Sequence, residues 1–226
     1  MFGVPGRLII VVLIVGVVGS GCAFGQMETA RQLEQGELVT SGSLDWPGAL
    51  FLPRVAGNAM YGVGGHGDVS AHAGTTIITA NAGIGGRVYL GERFTASVQA
   101  DGVYNFDPVE SDFLTGGDQI GRAIIAVTPR ITTAVRDDEL FYAGIHGHYL
   151  GMINRPAEGG LDYSQGRMPV GFLVGVDHLF AGGNWGFQAE LSAMPVAIDF
   201  EEGPIFFDSP PYFYPQLGVG MYYRWN

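Results

Sequence analysis

The stretch that decides the fold is Phe94 to Tyr104, which reads Phe-Thr-Ala-Ser-Val-Gln-Ala-Asp-Gly-Val-Tyr. Every second residue from Phe94 onward is apolar or Gly, and the intervening residues up to Asp101 are polar. A period of two, with one face free of charge, is the pattern of a β-strand whose faces contact two different environments. The stretch therefore predicts a strand and not a helix.

Three further segments repeat this alternation: Phe141–Tyr149, Trp185–Ala193 and Leu217–Trp225. With the weaker matches included, the chain predicts about ten strands, and eight and twelve are the alternative even numbers. The predicted strands are 37–46, 54–63, 68–74, 77–90, 94–104, 119–134, 139–150, 168–180, 185–194 and 215–225. The predicted fold class is all-β.

Short turns and longer Pro-bearing or acidic loops alternate between these strands, as in an up-and-down barrel with one short-turn end and one long-loop end. A strand of eleven residues, tilted by about 40°, rises about 28 Å, which is enough to cross a membrane. Aromatic residues also gather at both ends of the apolar faces, as in the aromatic girdles of membrane barrels. These residues are Trp46, Tyr104 and Tyr149 near the long loops, and Phe94, Phe141, Trp185, Tyr223 and Trp225 near the short turns.

Over residues 36–226 the sequence resembles bacterial outer-membrane β-barrel proteins. The resemblance implies an up-and-down antiparallel transmembrane β-barrel in the cell outer membrane, in contact with outer-membrane lipid and inserted by the barrel-assembly machinery. The alternating final strand resembles the C-terminal assembly signal of that class. It departs from the signal in one respect, because Trp225 is followed by Asn226.

The N-terminus is typical of an export signal. Arg7 precedes an apolar run over residues 8–18, which is too short for a membrane helix. The following Gly19-Ser-Gly-Cys22 resembles the bacterial lipobox, with Gly19 where the motif usually has an aliphatic residue. The resemblance implies lipidation of Cys22, and the alternative is an ordinary signal peptide cleaved after Gly25. The expected organisation is a signal peptide over 1–21, an N-terminal tether over 22–36 and a barrel over 37–226. A short helix is the alternative for residues 27–35 of the tether.

Composition excludes several classes of protein. The 226 residues carry a formal net charge of −11 and show no basic cluster, which argues against binding of nucleic acid. The chain has one Cys, so a disulfide framework and a multi-Cys zinc site are excluded. The sequence does not indicate the oligomeric state.

Two motifs are candidates for chemistry. Residues 62–67 match G-x-G-x-x-G, but a strand follows the glycines instead of the helix that a dinucleotide site requires, so we interpret them as a hairpin turn.

His146 and His148 lie two apart on one strand face and would bind a metal ion only if a third ligand approached. The candidate third ligands are His72, Asp177 and Glu190. Polar packing inside the barrel is the favoured interpretation, and we predict no metal and no cofactor.

The predicted function is that of a non-enzymatic outer-membrane barrel, either structural or a narrow conduit for small solutes or ligands. One alternative is a lipid-anchored periplasmic barrel that binds an apolar ligand, and another is a surface hydrolase similar to the omptins. Besides Cys22 as the lipidation site, the predicted site residues are those expected to line the lumen: Arg87, Asp101, Arg122, Arg130, His146, His148, Glu190 and Arg224.

Overall fold

The computed structural model describes residues 28–46, 53–76, 79–105, 119–154, 162–165, 168–199, 203–206 and 216–225. Cys22 and the predicted signal peptide lie outside these residues. Within them the chain forms twelve strands. Their bounds are β1 Leu38–Trp46, β2 Arg54–Gly62, β3 Gly67–Thr75, β4 Thr79–Tyr89, β5 Phe94–Asn105, β6 Gln119–Arg136, β7 Glu139–Asn154, β8 Asp162–Gln165, β9 Met168–Leu179, β10 Trp185–Asp199, β11 Gly203–Phe206 and β12 Gln216–Trp225.

Ten of these strands form a closed antiparallel barrel, which confirms the predicted fold class and strand number. Each barrel strand pairs with the next along the chain, and β12 pairs with β1 from Leu38↔Trp225 to Trp46↔Leu217 to close the wall. The two remaining strands, β8 and β11, pair with the ends of β7 and β10 that lie next to the long loops. Both lie in predicted loops, because a four-residue strand is too short to show a period of two.

The four short turns, at residues 63–66, 90–93, 137–138 and 180–184, lie at the same end of the barrel as the start of β1 and the end of β12. The glycine-rich motif at residues 62–67 forms the first of these turns, and β3 follows it directly. Gly64 has φ of 130° there, a conformation that a side chain disfavours. The motif is therefore a hairpin turn.

Strand β10 departs from its predicted bounds. It continues past Pro195 to Asp199, because a bulge between Ala193 and Val196 shifts its register against β9. A bulge is one of the few places where a strand interior accepts Pro. Ala193, predicted on the outer face, pairs there with the outward Phe172, although Ala193 itself is only 5% exposed.

The barrel is apolar outside and polar inside. Outward residues such as Ile84 and Val98 are 68% and 54% exposed, whereas the inward Asp177 and Gln188 are 0% and 1% exposed. A barrel that binds an apolar ligand in water has the opposite arrangement, so this exterior is that of a transmembrane barrel. No helix among the described residues is long and apolar enough to cross a membrane.

Inward glycines make room for two buried tyrosines. Gly175 on β9 lies opposite Tyr142 on β7, and Gly186 on β10 lies opposite Tyr222 on β12. A Cβ added to Gly175 would lie 2.3 Å from the Tyr142 ring, and one added to Gly186 would lie 2.0 Å from the Tyr222 ring. Both rings therefore lie flat across a neighbouring strand and depend on the missing side chain.

Candidate functional site

The candidate functional site is the lumen, and residues 28–37, called here the N-terminal segment, lie inside it. The segment has neither helical nor strand structure. Its innermost residues Glu28, Thr29 and Ala30 are at most 5% exposed, and Glu37 lies at the short-turn end next to β1. Its contacts reach strands β1, β2, β3, β4, β6, β7, β9, β10 and β12. The segment therefore fills the lumen from the short-turn end, and its innermost part is not the short helix considered as an alternative.

Asp177 on β9 is the main anchor of this segment. Its carboxylate accepts hydrogen bonds from the Thr29 hydroxyl at 2.7 Å, from the Ala30 backbone N–H at 2.9 Å and from Arg31 Nε at 3.1 Å. The wall residues Tyr222 and Gln188 donate to the same carboxylate at 2.7 and 3.1 Å. A fully buried carboxylate is tolerated because so many donors replace its hydration.

Arg87 on β4 anchors the segment from the opposite part of the wall. Its guanidinium forms an ion pair with Asp68 at 2.7 Å and donates to the backbone carbonyls of Thr29 and Arg31. Tyr89 donates to Asp68 and accepts a hydrogen bond from the Leu33 backbone N–H at 2.8 Å. The wall thus satisfies backbone groups of the segment that water would otherwise have to satisfy.

Apolar contacts complete the fit. Leu33 packs in a buried cluster, and Ala30 packs in a second one. The partners of Leu33 are Val39, Met60 and Tyr222, and those of Ala30 are Tyr142 and Leu173. The first cluster involves β1, β2 and β12 and the second involves β7 and β9, so apolar contacts join the segment to several strands of the wall.

The segment leaves the lumen at the short-turn end, where Arg224 Nε donates to the Glu37 carboxylate. Burial would raise the pKa of Glu37, but hydrogen bonds from Arg224 and from the Glu34 backbone, with the charge of Arg224, hold it below its usual value of 4.5. Gly36 turns the chain with φ of 82°, and its N–H donates to the Gly62 carbonyl at 2.9 Å. A Cβ at Gly62 would lie 2.0 Å from the Glu34 carbonyl oxygen, so this strand end must be Gly.

Polar residues continue above the segment toward the long-loop end. Asp45 and Arg54 form an ion pair at 3.5 Å with exposed side-chain fractions of 0% and 4%. His72 Nε2 lies 2.5 Å from Asp101 Oδ1, and Asn81 donates to the same oxygen at 3.3 Å. This part of the lumen is therefore lined by charged and amide side chains.

His146 and His148 both point into the lumen and are 5% and 4% exposed. Their ring centroids are 5.1 Å apart in an edge-to-face arrangement. Each proposed third ligand has another partner: His72 contacts Asp101, Asp177 binds the N-terminal segment, and Glu190 accepts a hydrogen bond from Tyr142 at 3.1 Å. No group of three His, Cys, Asp or Glu side chains within the described ranges is placed to hold a metal ion.

The structure places most of the predicted lumen residues in the interior: Arg87, Asp101, Arg130, His146, His148, Glu190 and Arg224. Arg122 lies on β6, but its side chain is outside the described part of the structure. Three residues of this site were not among the predicted ones: Thr29, Arg31 and Asp68 contribute to it through Asp177 and Arg87. The alternation shows which strand residues face inward, but it carries no signal for a separate segment that fills the space between them.

No protein-family model and no curated protein matches the chain. Among solved structures it is similar to Neisserial surface protein A, with 12% identity and a TM-score of 0.43 over 84% of this chain and 97% of that one. It is also similar to an outer membrane channel from Pseudomonas putida F1, with 9% identity and a TM-score of 0.43 over 90% and 100%. The CymD monoaromatic hydrocarbon channel gives 8% identity and a TM-score of 0.35 over 85% and 89%. All three similarities are weak.

Proposed function

We propose that this chain is a non-enzymatic barrel of the cell outer membrane whose lumen is a narrow conduit for small solutes, held closed by the N-terminal segment. The apolar exterior supports a position in lipid, and the strand lengths agree with a membrane crossing. The observation that carries the proposal is the attachment of the segment to Asp177 and Arg87.

A conduit is favoured over a purely structural barrel because the lumen holds a separate length of chain. A narrow barrel that serves only as a scaffold is filled by its own inward side chains. Here the wall instead leaves room for an extended peptide, and a bore that admits a peptide also admits small polar solutes once the peptide is displaced. The segment is held largely by hydrogen bonds and ion pairs, which exchange with water more readily than a continuous apolar core.

The experiment is single-channel recording of the purified full chain in a planar bilayer. Wild-type protein should be closed for most of the recording, with rare openings. The double variant Thr29→Ala/Arg31→Ala removes two side-chain contacts with Asp177 and should open far more often. Glu34→Gln, whose exposed side chain lies on the same segment, is the matched control and should behave as wild type. A double variant that is folded but stays closed would contradict the conduit and leave a structural role.

Lipidation of Cys22 is a finer proposal, and it rests on the lipobox resemblance alone. Labelling cells with a radioactive fatty acid should mark the wild-type protein and not a Cys22→Ser variant. A mature N-terminus at Gln26, determined by mass spectrometry, would instead establish the ordinary signal peptide.

A further inference from the structure

A groove runs along the outer face of the barrel at the seam where β1 pairs with β12. Its floor is β1, where the outward residues are Thr40 and Gly42. On β12 the larger Tyr223 and Met221 lie directly opposite them. A Cβ added to Gly42 would meet no atom within 4 Å, so the space above this glycine is open. The change from large to small residues between neighbouring strands leaves a groove of about 400 Å³.

One wall of the groove is a row of three aromatic rings. The ring centroids of Trp185 and Tyr223 are 4.9 Å apart, those of Tyr223 and Trp225 are 4.6 Å apart, and both pairs pack edge to face. Trp225 Nε1 also donates a 3.0 Å hydrogen bond to the Thr40 hydroxyl, which holds the indole across the end of the groove. The wall is therefore ordered before anything binds, and binding does not have to pay for ordering it.

The groove covers the depth of one leaflet. Trp225 pairs with Leu38 at the start of β1, and Gly42 lies in the middle of that strand. Four residues at about 3.3 Å each, tilted by about 40°, rise about 10 Å, which is close to half of the apolar band of about 25 Å on a membrane barrel. The groove therefore extends from the membrane surface at the short-turn end to the centre of the bilayer.

The groove is continuous with the lipid-facing wall, and this decides what occupies it. Its lining residues carry no charge. Trp185, Met221 and Trp225 are 53%, 49% and 53% exposed, so they project from the wall in the same way as the other outward apolar residues. Because these side chains project above the floor, the convex wall of a second barrel would be held away from Gly42. A flexible hydrocarbon chain is narrow enough to reach it.

We propose that this groove binds one acyl chain of a membrane phospholipid from the leaflet at the short-turn end. The headgroup then lies at the level of Trp225, since Trp side chains of membrane proteins collect at the membrane surface. The bound chain packs on β1 and β12 together, so the lipid stabilises the pairing that closes the barrel. The inference goes beyond the proposed function, because binding at the outer face does not require conduction.

The first test is native mass spectrometry of the full chain, purified in detergent and mixed with palmitoyl-oleoyl-phosphatidylethanolamine. Wild-type protein should retain one phospholipid in a saturable manner. Gly42→Leu fills the groove and should weaken retention by about tenfold or more, because lost contact with two or three methylene groups already gives that factor. Gly102→Leu is the matched control on the outer face of β5 and should bind as wild type. Heat-modifiable gel mobility checks that both variants are folded.

The second test locates the lipid by fluorescence. The chain has three Trp residues, and two of them, Trp185 and Trp225, line the groove. A Trp46→Phe background therefore leaves only the groove residues as reporters. A phospholipid with a dibrominated acyl chain, which quenches Trp on contact, should quench this variant in detergent with saturation at one lipid per chain. Adding Gly42→Leu should abolish the saturable quenching, and adding Gly102→Leu should leave it unchanged.

Three results would overturn the inference. The first is quenching that rises with lipid concentration without saturating, because it would mean only general mixing of lipid with the micelle. The second is equal phospholipid retention by wild type and folded Gly42→Leu. The third is a wild-type dimer in analytical ultracentrifugation that Gly42→Leu converts to a monomer, because a second copy would then occupy the groove. The wild-type stoichiometry and the Trp46→Phe quenching test the site even if Gly42→Leu does not fold.

Discussion

The Thr29 hydroxyl donates a 2.7 Å hydrogen bond to the buried Asp177 carboxylate, although 148 positions separate the two residues. Thr29 precedes the first strand, and Asp177 lies near the end of β9 that leads into a short turn. The contact exists only when the barrel wall has closed around the N-terminal segment. The segment can therefore hold its conformation only in the folded barrel.

Replacing Asp177 by Ala should destabilise the barrel and release the N-terminal segment. The change removes the acceptor of Arg31, Thr29 and the wall residue Tyr222 at once. Breaking a buried ion pair by removing one partner costs about 3 to 5 kcal/mol. Urea unfolding in detergent, followed by Trp fluorescence, measures the loss. A change below about 1 kcal/mol would mean that Asp177 does not anchor the segment.

Replacing Gly186 by Ala should also destabilise the barrel, because the new methyl group would overlap the Tyr222 ring. Overpacking of this kind costs about 1 to 3 kcal/mol. The matched control is Gly102→Ala on the outer face, where the nearest atom to the new Cβ lies 3.9 Å away. The double variant Gly186→Ala/Tyr222→Val should lose less stability than the sum of the two single changes, because no ring remains for the new methyl group to overlap. Equal stability of the two single Ala variants would contradict the close packing.

The ion pair between Glu37 and Arg224 at the short-turn end should make the free energy of unfolding depend on pH in the acid range. The folded-state pKa of Glu37 is lowered from 4.5, so ionised Glu37 stabilises the fold above pH 4.5. This contribution is lost as the pH falls below 4.5 through the lower folded-state value. Free energies of unfolding for wild type and Glu37→Gln, measured in detergent from pH 7 downward, should differ most near neutral pH and converge in acid. A difference that grows in acid would reverse the sign and refute the assignment.

An Arg placed on the outer face should be poorly tolerated if that face contacts lipid. Val98 lies in the middle of β5 and is 54% exposed. Arg near the bilayer midplane costs about 2 to 4 kcal/mol in a membrane barrel. Folding of Val98→Arg into lipid vesicles should be weakened by this amount, whereas Glu92→Arg in the exposed turn should fold as wild type. Normal folding of Val98→Arg in lipid would count against a membrane-spanning wall.

The alternation predicted the barrel well because the outer and inner faces differ in chemistry at almost every strand position. It placed Asp101, Glu190 and Arg224 on the inner face from their phase alone. It did not show the bulge next to Pro195, because such a register shift leaves no period in the sequence. The bounds of β10 were missed for the same reason.

The place of the N-terminal segment could not be predicted, for a different physical reason. Its conformation is not set by local propensity but by partners such as Asp68, Arg87 and Asp177, all of them distant in sequence. A short polar stretch before a first strand is compatible with a tether outside the barrel and with a segment inside it. Only the assembled wall distinguishes the two.

The most direct test of a lumen filled by the N-terminal segment is the reactivity of a thiol at position 30. In a Cys22→Ser background, Ala30→Cys places the thiol at a residue that is 5% exposed and packed against Tyr142 and Leu173. A water-soluble maleimide should modify it very slowly in the folded protein and rapidly after unfolding, whereas Glu34→Cys on the exposed part of the segment should react rapidly in both states. Rapid modification of Ala30→Cys in the folded barrel would show that the segment lies outside the lumen and would contradict the account.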